Sequence, residues 1–345
     1  MLTNIWNTAY PIIIAILFFE FIIIIHEGGH FAAARMCGVK VNEFSIGMGP
    51  KLFQFQKGDI KYSLRLILFG GYCAMEGEDE DSDDENAFSN KKVIQRIFIV
   101  IAGALMNLLL GVIIVAIIVC SQNLIGTPQI AKFDKNAVSA ETLQQGDTIK
   151  SIDGMRVYCA NDVTTGLTRS TDSTLDVVVL RDGKEQKLSV KFDTEEYEGH
   201  EYIKMDFWLY GVKKNVSNVI KETFMQWMSY ARMVFLSLHD IIVGKFGVRD
   251  LSGPVGAVDI VSKAVKIGSV SLLRIMALLT INVGLFNLFP IPALDGWRLF
   301  LLMFEGIFRR KLPSKWEWAI NGAGLILLLG LMTLITFSDI SKLIK

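Results

Sequence analysis

Long uninterrupted runs of apolar residues dominate the hydrophobic pattern of the chain. Four of them approach the roughly 20 residues that an α-helix needs to cross the hydrocarbon core of a bilayer. They are Tyr10 to Ala34, Ile97 to Cys120, Leu272 to Pro290 and Trp318 to Phe337. The pattern therefore predicts four transmembrane helices and a multi-pass α-helical membrane protein.

Elsewhere, apolar and polar residues alternate as they do in strands with one buried face. The segment Val41 to Gly71 predicts a β-hairpin, which could dip into the membrane if protein covers its backbone. A plain surface loop is the alternative. Between the second and third spans, residues 126–212 predict a β-rich domain of a size suited to peptide binding. In it Asp182-Gly183 joins two strands, and Asn161 to Thr168 forms a short helix.

A third pattern follows this domain. From Val216 to Phe246, apolar residues recur at three- and four-residue spacing among charged ones, which predicts an amphipathic helix. It could lie on the outer leaflet or dock against the protein, and Gly253-Pro254 breaks the chain before the third span. The predicted division is residues 1–125 with two spans and the hairpin, 126–212, 213–256, and 257–345 with the last two spans.

Composition and charge agree with a membrane protein. Of the 345 residues 51% are hydrophobic, and the formal net charge is zero, so nothing points to a nucleic-acid partner. Arg35 and Lys40 follow the first span, and Arg309 and Arg310 lie between the third and fourth. By the positive-inside rule these two loops are cytoplasmic, which puts residues 126–212 outside.

The string HEGGH, His26 to His30, lies at the inner end of the first apolar run. Residues four apart share one face of a helix, so both imidazoles can bind one metal ion while Glu27 lies beside them. Catalytic zinc sites use three protein ligands and keep one position for water. The motif predicts that His26 and His30 bind Zn²⁺, and that Glu27 is the general base that activates zinc-bound water.

The third ligand should be an ionisable residue at the same depth. Asp295 lies in apolar sequence between a Pro-x-Pro break and Gly296, and carboxylates at membrane depth are costly and usually functional. We predict Asp295 as the third ligand, with helix capping as the alternative. Asn287 could donate a hydrogen bond to the substrate backbone or the developing oxyanion, or it could brace the helices. For Asn107, in the second span, bracing is the favoured interpretation.

These motifs resemble those of the site-2 proteases, a family of intramembrane zinc metalloproteases, and in particular its bacterial members with a single PDZ domain. HEGGH matches the family's HExxH, and Asn287 to Gly296 matches its NxxPxPxLDG. Further matches are Gly70-Gly71-Tyr72, Gly77-Glu78, Ala102-Gly103, Asn107, Gly146-Asp147 and Gly253 to Gly256. One departure is Ala104, where family members commonly carry proline.

The resemblance implies a place in the bacterial plasma membrane, with the active site toward the cytoplasm. It implies that the β-rich domain is an extracytoplasmic PDZ-like domain, which gates access by size or binds a newly exposed terminus. The reaction it implies is regulated intramembrane proteolysis, in which transmembrane segments of single-pass proteins are cleaved. Anti-sigma factors and remnant signal peptides are the substrates typical of the family, and Zn²⁺ is its cofactor.

Two other functional classes compete with this interpretation. A membrane chaperone or adaptor would use the PDZ-like domain to capture peptides and hold a structural metal, but a structural zinc needs four ligands. A transporter is disfavoured because no inverted repeat is evident.

Glu20 raises a separate question. It lies on nearly the same helix face as Glu27, roughly 10 Å away along the axis. It could line a polar path to the site or tune the protonation of the site, or it could simply reach the headgroups at the outer interface.

Overall fold

The structure, a computed structural model, describes residues 2–78, 80, 82–170, 172–197, 200–244, 252–310 and 314–344. The chain divides into two compact units. The first comprises Met1–Ile114 and Val234–Lys345, and the second comprises Val115–Met233. HEGGH, Asp295 and Asn287 all belong to the first unit.

Helices dominate the first unit. In chain order the helices of the described residues are α1 (Leu2–Met36), α2 (Val93–Ser121), α3 (Ala160–Arg169), α4 (Val216–Ile242), α5 (Pro254–Ile267), α6 (Ser269–Phe286), α7 (Asp295–Phe308) and α8 (Ser314–Ile344). Four contain segments long and apolar enough to span a membrane: Ala9–Met36, Val93–Ser121, Ser269–Phe286 and Lys315–Lys342. These segments confirm the four predicted helices of spanning length.

The third spanning helix differs from the prediction at its end. It ends at Phe286 and not at Pro290, and Asn287 is its C-terminal cap. Pro290 and Pro292 have no backbone N–H to donate, and a proline ring clashes with the preceding helical turn. The apolar run therefore extends beyond the end of the helix, and its last residues form the irregular segment that leads to α7.

A long β-hairpin follows α1. Its strands, β1 (Val41–Lys57) and β2 (Ile60–Met75), pair antiparallel with several register shifts. Gly47, at φ 80°, adopts a conformation that only glycine reaches without strain. Phe31 of α1 packs on Phe44 of β1, with ring centroids 5.4 Å apart. The predicted hairpin is confirmed and the surface-loop alternative is wrong, whereas its depth in the membrane stays a prediction.

Two shorter helices, α5 and α7, were not predicted. The sequence indicated only a break at Gly253-Pro254, but α5 begins there because proline fits the first helical position. A buried carboxylate from α8, that of Asp339, accepts hydrogen bonds from the backbone N–H groups of Gly253 (2.9 Å) and Gly256 (2.8 Å). These bonds satisfy donors that a helix start leaves free.

The second unit is built on a sheet with the strand order β10-β3-β4-β6-β7, with β5 paired to β4. The strands are β3 (Leu124–Phe133), β4 (Thr148–Ile152), β5 (Met155–Arg156), β6 (Thr174–Arg181), β7 (Lys184–Lys191) and β10 (Phe207–Lys213), and β8 (Thr194–Tyr197) and β9 (His200–Ile203) form a separate pair. The predicted turn between β6 and β7 contains Asp182 and Gly183 at φ 51° and 76°, as a two-residue hairpin turn requires. The β-rich character is confirmed, and the PDZ assignment stays a prediction.

The amphipathic helix is present as α4, which ends at Ile242; Phe246 lies outside the described residues. One face buries Tyr230 and Val234, and the other exposes Phe224 and Phe235. An apolar exposed face of this kind suits an interfacial helix, so both predicted placements stay open.

A buried carboxylate, Asp162, joins α3 to α4 within the second unit. It is 1% exposed and accepts hydrogen bonds from the backbone N–H groups of Tyr158 (2.8 Å) and Cys159 (3.3 Å). The hydroxyl of Ser229 donates to it at 2.5 Å, and Arg232 forms an ion pair with it. The protein itself thus satisfies this carboxylate.

Candidate metal centre

Two helices bring three candidate metal ligands together. His26 and His30 lie one turn apart on α1, and Asp295 is the first residue of α7. The Oδ2 atom of Asp295 lies 2.9 Å from Nε2 of His26 and 3.3 Å from Nε2 of His30, and the two Nε2 atoms are 3.2 Å apart. Both histidines are 7% exposed. The three candidate ligands predicted from the sequence therefore converge at one point.

The distances suit a tetrahedral zinc ion. Ligand atoms about 2.0–2.1 Å from zinc lie roughly 3.3–3.4 Å from one another in a tetrahedron. The three ligand atoms here are 2.9 to 3.3 Å apart. Two imidazole nitrogens and one carboxylate oxygen are also ligands that zinc prefers, and three protein ligands leave a fourth position for water. The residues thus fit the ion that the sequence predicted.

The other nitrogen of each imidazole has a neighbour on α2. Nδ1 of His30 donates to the backbone carbonyl of Ile99 at 2.9 Å. Nδ1 of His26 lies 3.3 Å from the side-chain amide of Asn107, which is fully buried. Contacts to the second ring nitrogen orient a histidine ligand, and they leave its Nε2 free for the metal.

Small residues let α1 and α2 approach closely at this point. A Cβ atom at Gly29 would lie 2.9 Å from the Cα of Gly103 and 2.8 Å from the carbonyl carbon of Ala102. A Cβ atom at Gly103 would in turn lie 2.8 Å from Nε2 of His26. Gly28 has nothing within 4 Å of such an atom. The second glycine of HEGGH is therefore a packing requirement, because side chains there would separate the helices.

Asp295 owes its position to the irregular segment after α6 and to the anchoring of α7. Capping is not its role, because Leu294 is the cap residue and the carboxylate contacts the histidines. Two arginine–glutamate pairs fix α7: Arg298 bonds to Glu78, and Arg96 of α2 bonds to Glu305 at 2.6 and 3.1 Å. The first turn of α7 is thus fixed against the chain that follows β2, and its C-terminal part is fixed against α2.

A cavity of about 270 Å³ opens beside two of the candidate ligands. Glu27 and Asn287 both line it, together with His26 and Asp295 and with Gly70 and Gly71 of β2. Glu27 is therefore next to the candidate ligands and faces a space in which water and a peptide could be held. Asn287 reaches the same space from the end of α6.

Glu20 is almost completely buried. It is 4% exposed, and among the described residues its carboxylate oxygens have no hydrogen-bond partner. It faces the backbone of Gly47 and Gly70 in the hairpin. This burial argues against a side chain that simply reaches the headgroups, and a part in a polar path to the site stays a prediction.

Comparison with known proteins decides the family. The model of peptidase family M50 matches residues 14–331, which is nearly the whole chain. The chain belongs to this family. A Clostridium perfringens protein whose name describes it as a candidate zinc metalloprotease is 35% identical over 331 residues, which cover 95% of this chain and 98% of the relative.

Two relatives carry the name RasP. The zinc metalloprotease RasP of Shouchella clausii is 29% identical over 94% of this chain and 97% of its own length. The regulator of sigma-W protease RasP of Bacillus subtilis is 26% identical over 96% of this chain and 98% of its own length. With the four spanning helices, membership of family M50 makes this chain a membrane protease of the site-2 zinc metalloprotease type.

Sequence reasoning missed two features of the site. The contact between Asn107 and His26 was not anticipated, and neither was the closeness of Gly103 to both rings. The sequence does show that Gly103 and Asn107 are four residues apart, which places them on one face of α2. Which way that face points depends on how α2 packs, and the sequence does not encode this locally.

Proposed function

We propose that the protein hydrolyses peptide bonds within transmembrane segments of single-pass membrane proteins. In this proposal His26, His30 and Asp295 hold one zinc ion, and Glu27 is the general base. The convergence of three ligand atoms beside a cavity lined by Glu27 is the observation that supports it most strongly.

Zinc, when bound, would polarise the scissile carbonyl and lower the pKa of water. The side chains of the protein transfer the protons and orient the substrate. The Glu27 carboxylate takes a proton from the attacking water as the new C–O bond forms. It then delivers that proton to the amide nitrogen as the C–N bond breaks, so the products are a carboxylic acid and an amine. The Asn287 amide donates a hydrogen bond to the substrate backbone or to the developing oxyanion.

The substrate class rests on the family and on the name of one relative. The Bacillus subtilis relative is named a regulator of sigma-W. We therefore propose anti-sigma factors, along with remnant signal peptides, as substrates in a bacterial plasma membrane. The basic loops favour an active site toward the cytoplasm and a β-rich domain outside. The PDZ-like activity of that domain, as a size filter or a peptide-binding module, belongs to the same proposal.

A chaperone or adaptor with a structural metal is the second candidate. The open three-ligand set favours catalysis, since structural zinc sites are closed by four protein ligands. A carboxylate next to the ligands and inside the cavity is also unnecessary for a purely structural ion.

The deciding experiment compares Glu27→Gln with the wild type. The full chain is purified in detergent, its zinc content is measured, and cleavage of a tagged transmembrane peptide is followed. We expect Glu27→Gln to keep its zinc and to lose about 10²- to 10⁴-fold in rate, which is the usual contribution of a general base. Glu222→Gln, which removes a carboxylate from the second unit, is the control. Equal cleavage by Glu27→Gln and wild type would refute the mechanism.

A further inference from the structure

The side chain of Asn107 is in an unusual position for a helix brace. It is completely buried in α2, and its Nδ2 atom lies 3.3 Å from Nδ1 of His26. Within the part of the chain that the structure describes, its Oδ1 atom has no hydrogen-bond partner. A buried amide oxygen without a donor costs free energy, so this arrangement needs an explanation.

The chemistry of a histidine ligand supplies the explanation. A neutral imidazole that gives its Nε2 lone pair to a metal carries its proton on Nδ1. That Nδ1–H is a donor and needs an acceptor. If the N–H₂ group of the Asn107 amide faced this Nδ1–H, two donors would face each other. Rotating the amide by half a turn instead places its Oδ1 atom next to the ring. The oxygen and nitrogen of an asparagine are assigned by their hydrogen-bond partners and not by shape, so the half-turn is permitted.

We propose that Asn107 is a positioning residue for the zinc ligand His26, with its Oδ1 accepting a hydrogen bond from Nδ1–H of the ring. This inference rests on the proposed function, because it takes His26 to bind zinc through Nε2. The bond fixes the tautomer and the rotation of the ring, and it satisfies the amide oxygen. It replaces helix bracing as the main role of this side chain.

The neighbouring histidine supports this assignment. Nδ1 of His30 already has an acceptor at 2.9 Å, the backbone carbonyl of Ile99. Ile99 and Asn107 both belong to α2, so a single helix contacts the second nitrogen of both ligands. For His30 the acceptor is a main-chain carbonyl, and for His26 the group next to Nδ1 is the side chain of Asn107. An acceptor at Asn107 would therefore complete the same arrangement for both rings.

A buried hydroxyl from α6 holds the backbone at this position. The Oγ1 atom of Thr280 donates to the carbonyl oxygen of Asn107 at 3.3 Å, and both residues are fully buried. The bracing between α2 and α6 thus uses the main chain of Asn107. Its side chain is left for His26, and the two roles can be separated by substitution.

The test uses two nearly isosteric substitutions in the full-length protein, Asn107→Asp and Asn107→Leu. Asp offers only acceptors, and Leu offers none. Zinc affinity is measured in detergent by competition with a chelator. The visible spectrum of the Co²⁺-substituted protein reports the ligand geometry. We expect Asn107→Leu to lose about 10- to 100-fold in zinc affinity, the usual effect of removing an outer partner of a histidine ligand. Asn107→Asp should stay within a few-fold of wild type and keep the wild-type cobalt spectrum.

The outcomes separate the possible roles. A brace would lower the thermal stability of the metal-free protein in one or both variants and leave zinc affinity unchanged, which would overturn the proposal. If the amide donated to Nδ1, Asn107→Asp would face the ring with a second acceptor and lose affinity, which would also overturn it. Asn107→Asp alone decides this point should Asn107→Leu fail to fold.

The same measurements distinguish this inference from the proposed function. If wild type and Glu27→Gln bind about one zinc each and His26→Ala does not, the metal site stands. Unchanged affinity in the Asn107 variants would then refute only the positioning role. If wild type binds no zinc, the proposed function itself fails.

Discussion

Two aspartates at the starts of helices, Asp295 and Asp162, show how the partners of a carboxylate separate a candidate metal site from a structural one. Asp162 receives two backbone N–H groups, a hydroxyl and a guanidinium, all of them donors. Asp295 faces two imidazole Nε2 atoms at 2.9 and 3.3 Å. Neutral imidazoles whose protons lie on Nδ1 offer lone pairs there. Such a group of acceptors is stable only with a cation or protons between them, whereas the Asp162 group needs nothing more.

The largest expected effect comes from Asp295→Asn. The neutral amide is a poorer ligand, and its N–H₂ group could satisfy the imidazole nitrogens without any metal. We expect zinc affinity to fall by more than the roughly 10- to 100-fold that loss of an outer partner costs. Cleavage of a transmembrane peptide should be lost with it. Chelator competition on the full chain measures the affinity, and zinc binding at the wild-type level would remove Asp295 from the ligand set.

The converse substitution is Asp162→Ala. It leaves the guanidinium of Arg232 and two backbone N–H groups without their acceptor. Removing one partner of a buried ion pair costs about 3–5 kcal/mol. We expect hydrogen exchange to increase in α3 and at Tyr158 and Cys159, with zinc affinity unchanged.

The control for this substitution is Asp176→Ala in the same unit. Its carboxylate pairs with Lys187 at 2.8 Å on the surface, and exposed pairs contribute little. Exchange should therefore stay near wild type. If Asp162→Ala instead lowered zinc affinity as strongly as Asp295→Asn, the contrast between the two aspartates would be lost.

A smaller effect is expected from the glycines of HEGGH. Gly29→Ala inserts a Cβ atom 2.9 Å from the Cα of Gly103, so α1 and α2 must separate. Overpacking of this kind costs about 1–3 kcal/mol, and it should shift His26 and His30 relative to Asp295. The melting temperature of the variant and its zinc affinity should both fall below the wild-type values. Gly28→Ala meets no atom within 4 Å and should match or exceed wild-type stability, because alanine favours helices. Equal behaviour of the two variants would contradict the close approach of the helices.

These pairs also show what the sequence can and cannot predict. HEGGH and Asp295 could be predicted as candidate metal ligands because zinc chemistry restricts the ligand types and because ionisable residues are rare in apolar segments. The turn at Asp182-Gly183 was predictable because its backbone conformation demands such residues. The helices α5 and α7 were not, since they are short segments of mixed polarity next to longer apolar runs.

Side-chain direction was the other limit. For Asn107 the sequence favours a bracing role, because a polar residue in an apolar helix predicts only that some partner exists. Whether that partner is His26 depends on the rotation of α2 against α1, which the contact at Gly29 and Gly103 sets. The same limit applies to Glu20. Its spacing from Glu27 follows from the sequence, but its burial against the hairpin depends on the register of β1 and β2.

The smallest expected effect concerns another buried carboxylate, that of Glu222 in α4. Burial raises its pKa, and the nearby charge of Asp162 acts in the same direction, while a hydrogen bond from Gln226 at 2.9 Å opposes them. A folded-state pKa above the unfolded value means that the folded protein binds the proton more tightly. This contribution to stability is fully present below the unfolded pKa and is lost as pH rises through the folded pKa.

Glu222→Gln removes that dependence because glutamine is neutral throughout. We expect the variant to unfold at nearly the wild-type temperature at pH 4, and at a higher temperature than wild type at pH 8. Measuring Tm of both full-length proteins across this pH range gives the difference between them as a function of pH. The control is Glu195→Gln, on the exposed strand β8, for which the difference should not change with pH. A wild-type Tm that exceeds that of Glu222→Gln increasingly with pH would mean that the ionised form is the stabilised one. Glu222 would then resemble Asp162, whose charge is satisfied by its neighbours, and would not be a carboxyl group whose ionisation the fold opposes.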